Sequence, residues 1–292
     1  MSNVGAEGSG KNAEIFNDYD HNEASGDYAH AEGYYTTASG EQSHAEGSGT
    51  VACGPEGSHA EGHNTIAWGY NSHAEGRGSQ DIITVSGNAN TLTYSGSFKN
   101  SNIKPGWVVS IDGTMANLVV VDDVTDSTIT VSSTLSSTAI TNVTFDCFPA
   151  ASGSSSHTEG SLTAARGDDA HAEGYKTVAS GDSSHAEGRY STASGTYSHA
   201  EGRRTVASGE SSHAEGDDSI ASGKYSHAEG YNTVASFAAA HAEGEYTQAS
   251  GQYSHAEGSG SVASGHYSHA EGRSTIAAGE SQHVEGKNNI AD

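Results

Sequence analysis

The chain has 292 residues, 37 of them acidic and 12 basic, for a net charge of −25. Only 33% are hydrophobic, many of those alanine, against 38 glycines and three prolines. This excludes a large Leu/Ile/Phe core, and the acidic balance argues against nucleic acid as a partner. Low hydrophobicity with high charge would ordinarily read as disorder. Strict repetition argues otherwise, because stacked repeats let a chain with poor core formers fold. No apolar run is long enough for a membrane span, and the opening MSNVGAEGSG lacks the basic-then-apolar pattern of a secretory signal.

In chain order, a degenerate first unit, GAEG, stands at Gly5 to Gly8, 25 residues before its next counterpart. That leaves eleven inserted residues around KNAEIFNDYDH, a short insertion near 9–21. A five-letter word of the type SHAEG then recurs with its histidine at His30, His44, His59 and His73. The steps are fourteen, fifteen and fourteen residues, so one residue is extra near CGPEG. The next histidine of this type is His157, 84 residues on, or six times fourteen, which leaves seventy inserted residues. From there every step is fourteen: His171, His185, His199, His213, His227, His241, His255, His269 and His283. The division expected is 1–79 repeats, 80–149 insert and 150–292 repeats.

The fourteen-residue unit has two halves with one skeleton, [ST]-x-A-x-G-x-x, as in Ser198 to Arg204 and Thr205 to Ser211. Strand side chains alternate between faces, so Ser/Thr and Ala share one face and the x residues share the other. Gly and the two residues after it are expected to turn the chain. A helix is excluded by glycine every seven residues. The expected fold is all-β: a β-solenoid with two short strands per coil and a very thin Ser/Thr/Ala interior.

The insert changes character. DIITVSG, TLTYSG, GWVVSIDG, ANLVVVDDV, STITVSSTL and NVTFDCF are six short β-type runs bounded by turn residues. They predict a small β-barrel or sandwich with its own core, leaving the coils after Ser79 and rejoining near Ala150. It is expected to bind a receptor or to be an inert decoration. Trp107 and Tyr94 are expected in its core, with exposed contacts as the alternative. Cys53 and Cys147 lack metal-type spacing and are expected as free thiols, with a disulfide between them as the alternative.

Several residues depart from the repeat. Phe237 takes a glycine place and predicts a local bulge. Trp68 takes a serine place on the outer face and is expected to pack under the insert. Thr158 and Val284 replace the interior alanine. Tyr197, Tyr225, Tyr253 and Tyr267 precede the SHAEG strand and are expected to stack along one edge, by packing between coils or as a sugar-binding row. No nucleophile motif, phosphate loop or calcium nonapeptide is present, and the non-repeat histidines His21, His63 and His266 form no constellation. The chain is therefore expected not to be an enzyme.

The skeleton in fourteen-residue coils resembles the left-handed parallel β-roll heads of trimeric autotransporter adhesins. The wording YSHAEGYNTVAS is similar to shaft repeats of phage tail fibres and related tail proteins. The likeness covers the coils and not the insert. It implies a left-handed roll, a parallel homotrimer, and either a virion tail-fibre or an extracellular location, with a host-surface glycan or receptor as a further partner. In the heads, the x positions of the S-x-A-x-G strand are apolar and pack three rolls together. Here those places are polar: His30 with Glu32, His44 with Glu46, His59 with Glu61, His73 with Glu75, His157 with Glu159, His171 with Glu173, His185 with Glu187, His199 with Glu201, His213 with Glu215, His227 with Glu229, His241 with Glu243, His255 with Glu257, His269 with Glu271 and His283 with Glu285.

Stacked at strand spacing, these residues form ladders about 4.8 Å apart. A ladder of bare glutamates repels itself, and histidine in the same row relieves this. Carried over by position, the pairs imply layers of three imidazoles and three carboxylates at a trimer axis, setting register as buried polar residues do in coiled coils. As ion pairs they would carry raised histidine and lowered glutamate pKa values. A divalent metal is the alternative occupant, above all at His171 to Glu229, because imidazole and carboxylate are a sensible ligand set. A solvated face and a pH switch remain open. Otherwise no cofactor is expected.

Overall fold

The computed structural model describes residues 6–16, 22–81, 86–88, 91–93, 108–110, 118–124, 128–131, 140–141, 145–148 and 150–291. Among them all regular structure is β, with no helix. The chain divides into two compact units, Met1–Arg166 and Gly167–Asp292.

In the second unit each coil contributes two strands to two parallel sheets. The SHAEG half gives a strand such as His213–Asp217, and the TVASG half gives a two-residue strand such as Val206–Ala207. Equivalent residues pair at a separation of fourteen: His213 with His227, Ala214 with Ala228, Ile220 with Val234. The parallel ladder follows from the period. A fourteen-residue repeat returns each residue type over its own copy, and His199 N donates to Ser212 O at 2.9 Å one coil on.

The interior is as thin as the composition requires. Ala200, Ala207, Ala214 and Ala221 are wholly buried, and the interior Ser198, Thr205, Ser212 and Ser219 are at most 2% exposed. Each buried methyl contributes about 0.8 kcal/mol, so stability accumulates by repetition. Some interior hydroxyls are satisfied locally, while those of Ser198, Thr205 and Thr247 lack a partner among the described residues. Ser212 Oγ donates to Gly209 O at 2.7 Å, and Thr233 Oγ1 donates to Ser219 Oγ at 2.9 Å.

The turns are built differently from the sequence expectation. The residue just before each interior Ser/Thr is the left-handed one: φ is 57° at Arg204, 53° at Ser211, 59° at Asp218 and 60° at Tyr225. The same place holds Asn64, Asn71 and Gly49 elsewhere, residues that tolerate φ > 0. The two glycine classes also differ. Gly202, in the SHAEG half, has φ 103°, and a Cβ there would overlap the carbonyl of Gly216 in the next coil. No positive φ occurs at Gly209 or Gly223 of the TVASG half. Phe237 stands in this second class, where φ is ordinary although a Cβ at Gly209 or Gly223 would overlap the next coil's carbonyl. It is 52% exposed, and the fourteen-residue pairing continues past it, Ala235 with Ala249 and His241 with His255. The predicted bulge is absent.

The first unit repeats this plan with three irregularities. Its coil strands are His30–Tyr34, His44–Ser48, His59–His63, His73–Arg77 and His157–Ser161. The extra residue near CGPEG sits in the turn, where Glu41 bridges Glu56, and pairing of His44 with His59 is undisturbed. The seventy-residue insertion is skipped by the coils: His73 pairs with His157, and Ile66 with Ala150. Thr158 fills its alanine place fully buried.

The start of the chain corrects the sequence reading. GAEG is not the first SHAEG strand. Glu14–Phe16 lies under His30–Glu32 in parallel, while Ala6–Glu7 pairs antiparallel with Glu14 and Ile15. Ser9 N donates to Ala24 O at 2.9 Å, as Ser25 does to Ala38, so Ser9–Gly10 serve as a TVASG-type half. Glu14 to His30 is sixteen residues, so two residues are extra there, not eleven.

Within 79–148 the described strands are all antiparallel. Their order is Ser79–Asp81, Phe145–Phe148, Val108–Ser110, Leu118–Val124, Thr128–Val131, Thr91–Thr93, Ser86–Asn88 and Ile140–Thr141. That is eight short strands where six runs were expected. Trp107 and Tyr94 lie outside the described residues. Trp68 is 37% exposed, whereas Ile66, two residues earlier, is fully covered. Cover at this point falls on the aliphatic residue and not on the aromatic one.

Candidate functional site: the histidine–glutamate row

Alternation in the SHAEG strand sends Ser and Ala inward and His and Glu outward. In the second unit the row runs from His171 to His283. Consecutive imidazoles stack face to face, with centroids 4.7 Å apart between His171 and His185 and 4.8 Å between His199 and His213, nearly parallel in both. In the first unit His44, His59, His73 and His157 stack likewise at 4.7–4.8 Å, so the row crosses the insertion point intact. His30 breaks the pattern, lying edge-on to His44 with Phe16 stacked beneath it.

Most of the glutamates stand beside the rings. Glu46, Glu201, Glu215 and Glu257 lie 3.7, 3.9, 3.7 and 3.6 Å from the Nε2 of their own coil's histidine. Glu187 reaches both ways, 4.0 Å from His185 and 3.7 Å from His199. These separations exceed a hydrogen bond. The side chains are about one-third exposed, 34% at His199 and 44% at Glu201. Yet the Nε2 atoms of His59, His73, His185, His199, His213 and His227 are buried and, among the described residues, lack a hydrogen-bond partner. Stacking hides the nitrogen while the ring edge stays open.

A close pair in every coil, as the sequence implies, is not what the structure holds. Among the described residues, Glu75, Glu159, Glu243, Glu271 and Glu285 are in no ion pair with a histidine. Glu159 and Glu271 keep their places in the row, half-buried. They act at longer range, Glu159 drawing the His73 pKa upward across the insertion point and Glu271 that of His269. Glu285 pairs with Glu271 through the backbone ladder, but its side chain is exposed, as is that of His283 beside it. No described coil lies beyond theirs to cover them. The strand ladder fixes the backbone positions of all fourteen pairs; it does not fix the carboxylate rotamer, which is free to swing away from the ring on a solvent-facing edge.

Burial, not ion pairing, dominates the titration. His44, His59, His73, His213, His241 and His269 are all held below the ordinary histidine pKa. Desolvation is the main cause, like-charged neighbours in the row come next, and the glutamates oppose both. The raised values expected of ion pairs are not found at these six positions, where burial favours the neutral imidazole beside the carboxylates.

Glycine after each glutamate leaves no side chain next to the carboxylate. In the first unit Glu32, Glu46, Glu61 and Glu75, with Gly33, Gly47, Gly62 and Gly76, line an open groove of about 540 Å³. Triads such as His59–Glu61–His73, His199–Glu201–His213 and His241–Glu243–His255 each bring three donor atoms within 4.8 Å of one another.

Other predicted residues sit apart. Tyr197, Tyr225, Tyr253 and Tyr267 are exposed at the turns, and of these Tyr253 and Tyr267 stack, at 5.2 Å. Cys53 is a free cysteine packed against Val51, Ile66 and Ala150, and burial pushes its thiol up to about 11. The sequence reading missed a cationic–aromatic cluster on the edge after the SHAEG strand. There Lys176 and Arg189 lie over the rings of Tyr175 and Tyr190 at 5.2–5.5 Å. Its signal was available: the two positions after SHAEG read YK and RY in consecutive coils. Further along the same edge Arg203 and Arg204 pair with Asp217 and Asp218.

Among curated proteins none matches the chain. The family model described as the YadA head domain repeat matches residues 31–56, 60–79, 172–198, 200–226, 214–236 and 256–279. All six stretches fall on coils and none on 80–149. The chain carries YadA head domain repeats, the repeat of trimeric autotransporter adhesin heads, wound into a parallel β-solenoid of about fourteen-residue coils.

Proposed function

We propose that the chain is a structural shaft of a surface fibre, in which three parallel copies pack through their histidine–glutamate faces. The observation that carries this is the set of buried Nε2 atoms, as at His59, His73, His199 and His213, that lack a hydrogen-bond partner among the described residues. By resemblance to adhesin heads, these are the positions through which neighbouring copies pack. A buried nitrogen without a partner is unfavourable, and a neighbouring copy supplies donors and acceptors at every layer. Carboxylates that leave their own histidine, such as Glu159 and Glu271, would be available to a neighbouring copy's ring. Repeating the layer each coil sets register and trimeric state. The function is reach, with the exposed turn tyrosines and the Tyr175/Lys176/Arg189/Tyr190 edge as surfaces for a host glycan or receptor.

Within this reading the chain is the shaft of a phage tail fibre or tailspike, the assignment that the wording YSHAEGYNTVAS supports. A bacterial adhesin head is the second reading, favoured by the match to the YadA head repeat. The genes next to this one separate them: tail-assembly genes mark a virion, and a membrane-anchor gene product marks an adhesin. The trimer is tested by light scattering at neutral pH with chelator. Three times the 29.8 kDa chain is expected. A single-chain mass sinks the trimer and leaves the row facing solvent.

A further inference from the structure

The row combines three features that a purely structural face does not need together. Its imidazole nitrogens are buried and lack hydrogen-bond partners among the described residues, as at His59, His73, His199 and His213. Carboxylate oxygens lie just beyond hydrogen-bond reach of them: Glu61 is 3.9 Å from His73 Nε2, and Glu201 is 3.9 Å from His199 Nε2. The glycine beside each glutamate opens a groove along the carboxylates in the first unit. A cation between such donors satisfies both kinds of group at once.

We propose that the His–Glu–His steps of the row are binding sites for divalent transition-metal ions, with His59–Glu61–His73 and His199–Glu201–His213 as the sites of reference. Bonds of about 2.0–2.2 Å place tetrahedral ligands roughly 3.4 Å apart and opposed ligands roughly 4.2 Å apart. The nitrogen–carboxylate separations of 3.7–3.9 Å at these coils lie inside that range. The three donors of a step lie within 4.8 Å of one another, so a small tilt of one ring closes it. Two imidazoles and one carboxylate suit zinc, cobalt(II) or nickel, whereas calcium and magnesium prefer oxygen. Water or a neighbouring copy completes the shell. His213 belongs to the step with His199 and to the step with His227, so adjacent steps compete and alternate ones fill. The sites stand on the geometry of one chain and do not require the trimer.

The test uses the full chain, stripped with EDTA and dialysed, titrated with zinc chloride by calorimetry and with cobalt chloride by visible absorption. Two or more zinc ions per chain and cobalt d–d bands of a low-coordinate N/O site are expected. His213→Gln is expected to lose at least one ion, and His59→Gln, in the other unit, serves where the first variant fails to fold. A folded chain that takes up no zinc, or variants that retain the full stoichiometry, overturn the proposal. Light scattering on the same samples separates the two readings. A trimer without zinc uptake removes the metal sites alone, and a monomer that binds zinc removes the trimer alone.

Discussion

Alternate residues of one strand face two different problems. On the inner side of Ser198–Glu201, Ser198 and Ala200 are almost completely buried, in a space whose equivalents admit little beyond Ser, Ala and Thr. On the outer side, His199 and Glu201 are 34% and 44% exposed, and the His199 ring is stacked between its copies with its Nε2 lacking a hydrogen-bond partner among the described residues. The inner side is closed within one chain. The outer side is not, and it is there that partners and ligands must act.

The largest effect should come from breaking the inner side. Ala214→Leu inserts three carbons between two sheets with no room, and should destabilise by about 3 kcal/mol or fail to fold, read by thermal melting. Next is Gly202→Ala, where φ is 103° and a Cβ overlaps the next coil; a loss of about 1–3 kcal/mol is expected. The matched comparison is Gly209→Ala, where a Cβ overlaps the next coil's carbonyl in the same way but φ is unexceptional; it too should destabilise, and any extra loss at Gly202 reads the cost of its left-handed φ.

The outer side should answer to pH. His44, His59 and His213 have folded-state pKa values below 6.5 because burial opposes their charge. The unfolded chain therefore binds protons first on acidification. Their contribution is fully present above about pH 6.5 and is lost as pH falls through the depressed values. The melting temperature, measured with chelator, should fall between pH 7.5 and pH 5. A melting temperature that rises on acidification would show that glutamate pairing outweighs burial. The smallest effect expected is a gain. Tyr225→Asn relieves a left-handed φ of 60° at an exposed turn and should stabilise by roughly 0.5 kcal/mol.

Much of this is legible in the sequence. The period of fourteen and the skeleton [ST]-x-A-x-G-x-x lead to the two strands, the inward Ser/Thr and Ala, and a histidine ladder spaced as observed. Even the insertion arithmetic holds, since 84 is fourteen plus seventy and His73 pairs with His157. The failures have physical reasons. GAEG matches SHAEG by its letters, but at a solenoid end the next coil decides which half a segment serves, and Ser9 bonds under Ala24. Phe237 looks like a defect because both glycine classes look alike in sequence. Only the structure separates them, by the left-handed φ of the SHAEG-half glycines, and it also shows that a Cβ would crowd the next coil's carbonyl in both classes. A count of pairs predicts raised histidine pKa values, but stacking buries the rings and lowers them. The same count predicts a partner for Glu75, Glu159, Glu243, Glu271 and Glu285, whose carboxylates do not close on a ring.

By itself, then, the sequence determined the coil, its period, its thin interior and the identity of the outer row, because a repeat copies each local preference to the same place. The tertiary structure alone decided which nitrogens are hidden and how far the carboxylates stand from them. Those quantities depend on how one coil rests on the next, and a ring stacked 4.8 Å above its own copy is buried by a residue fourteen positions away.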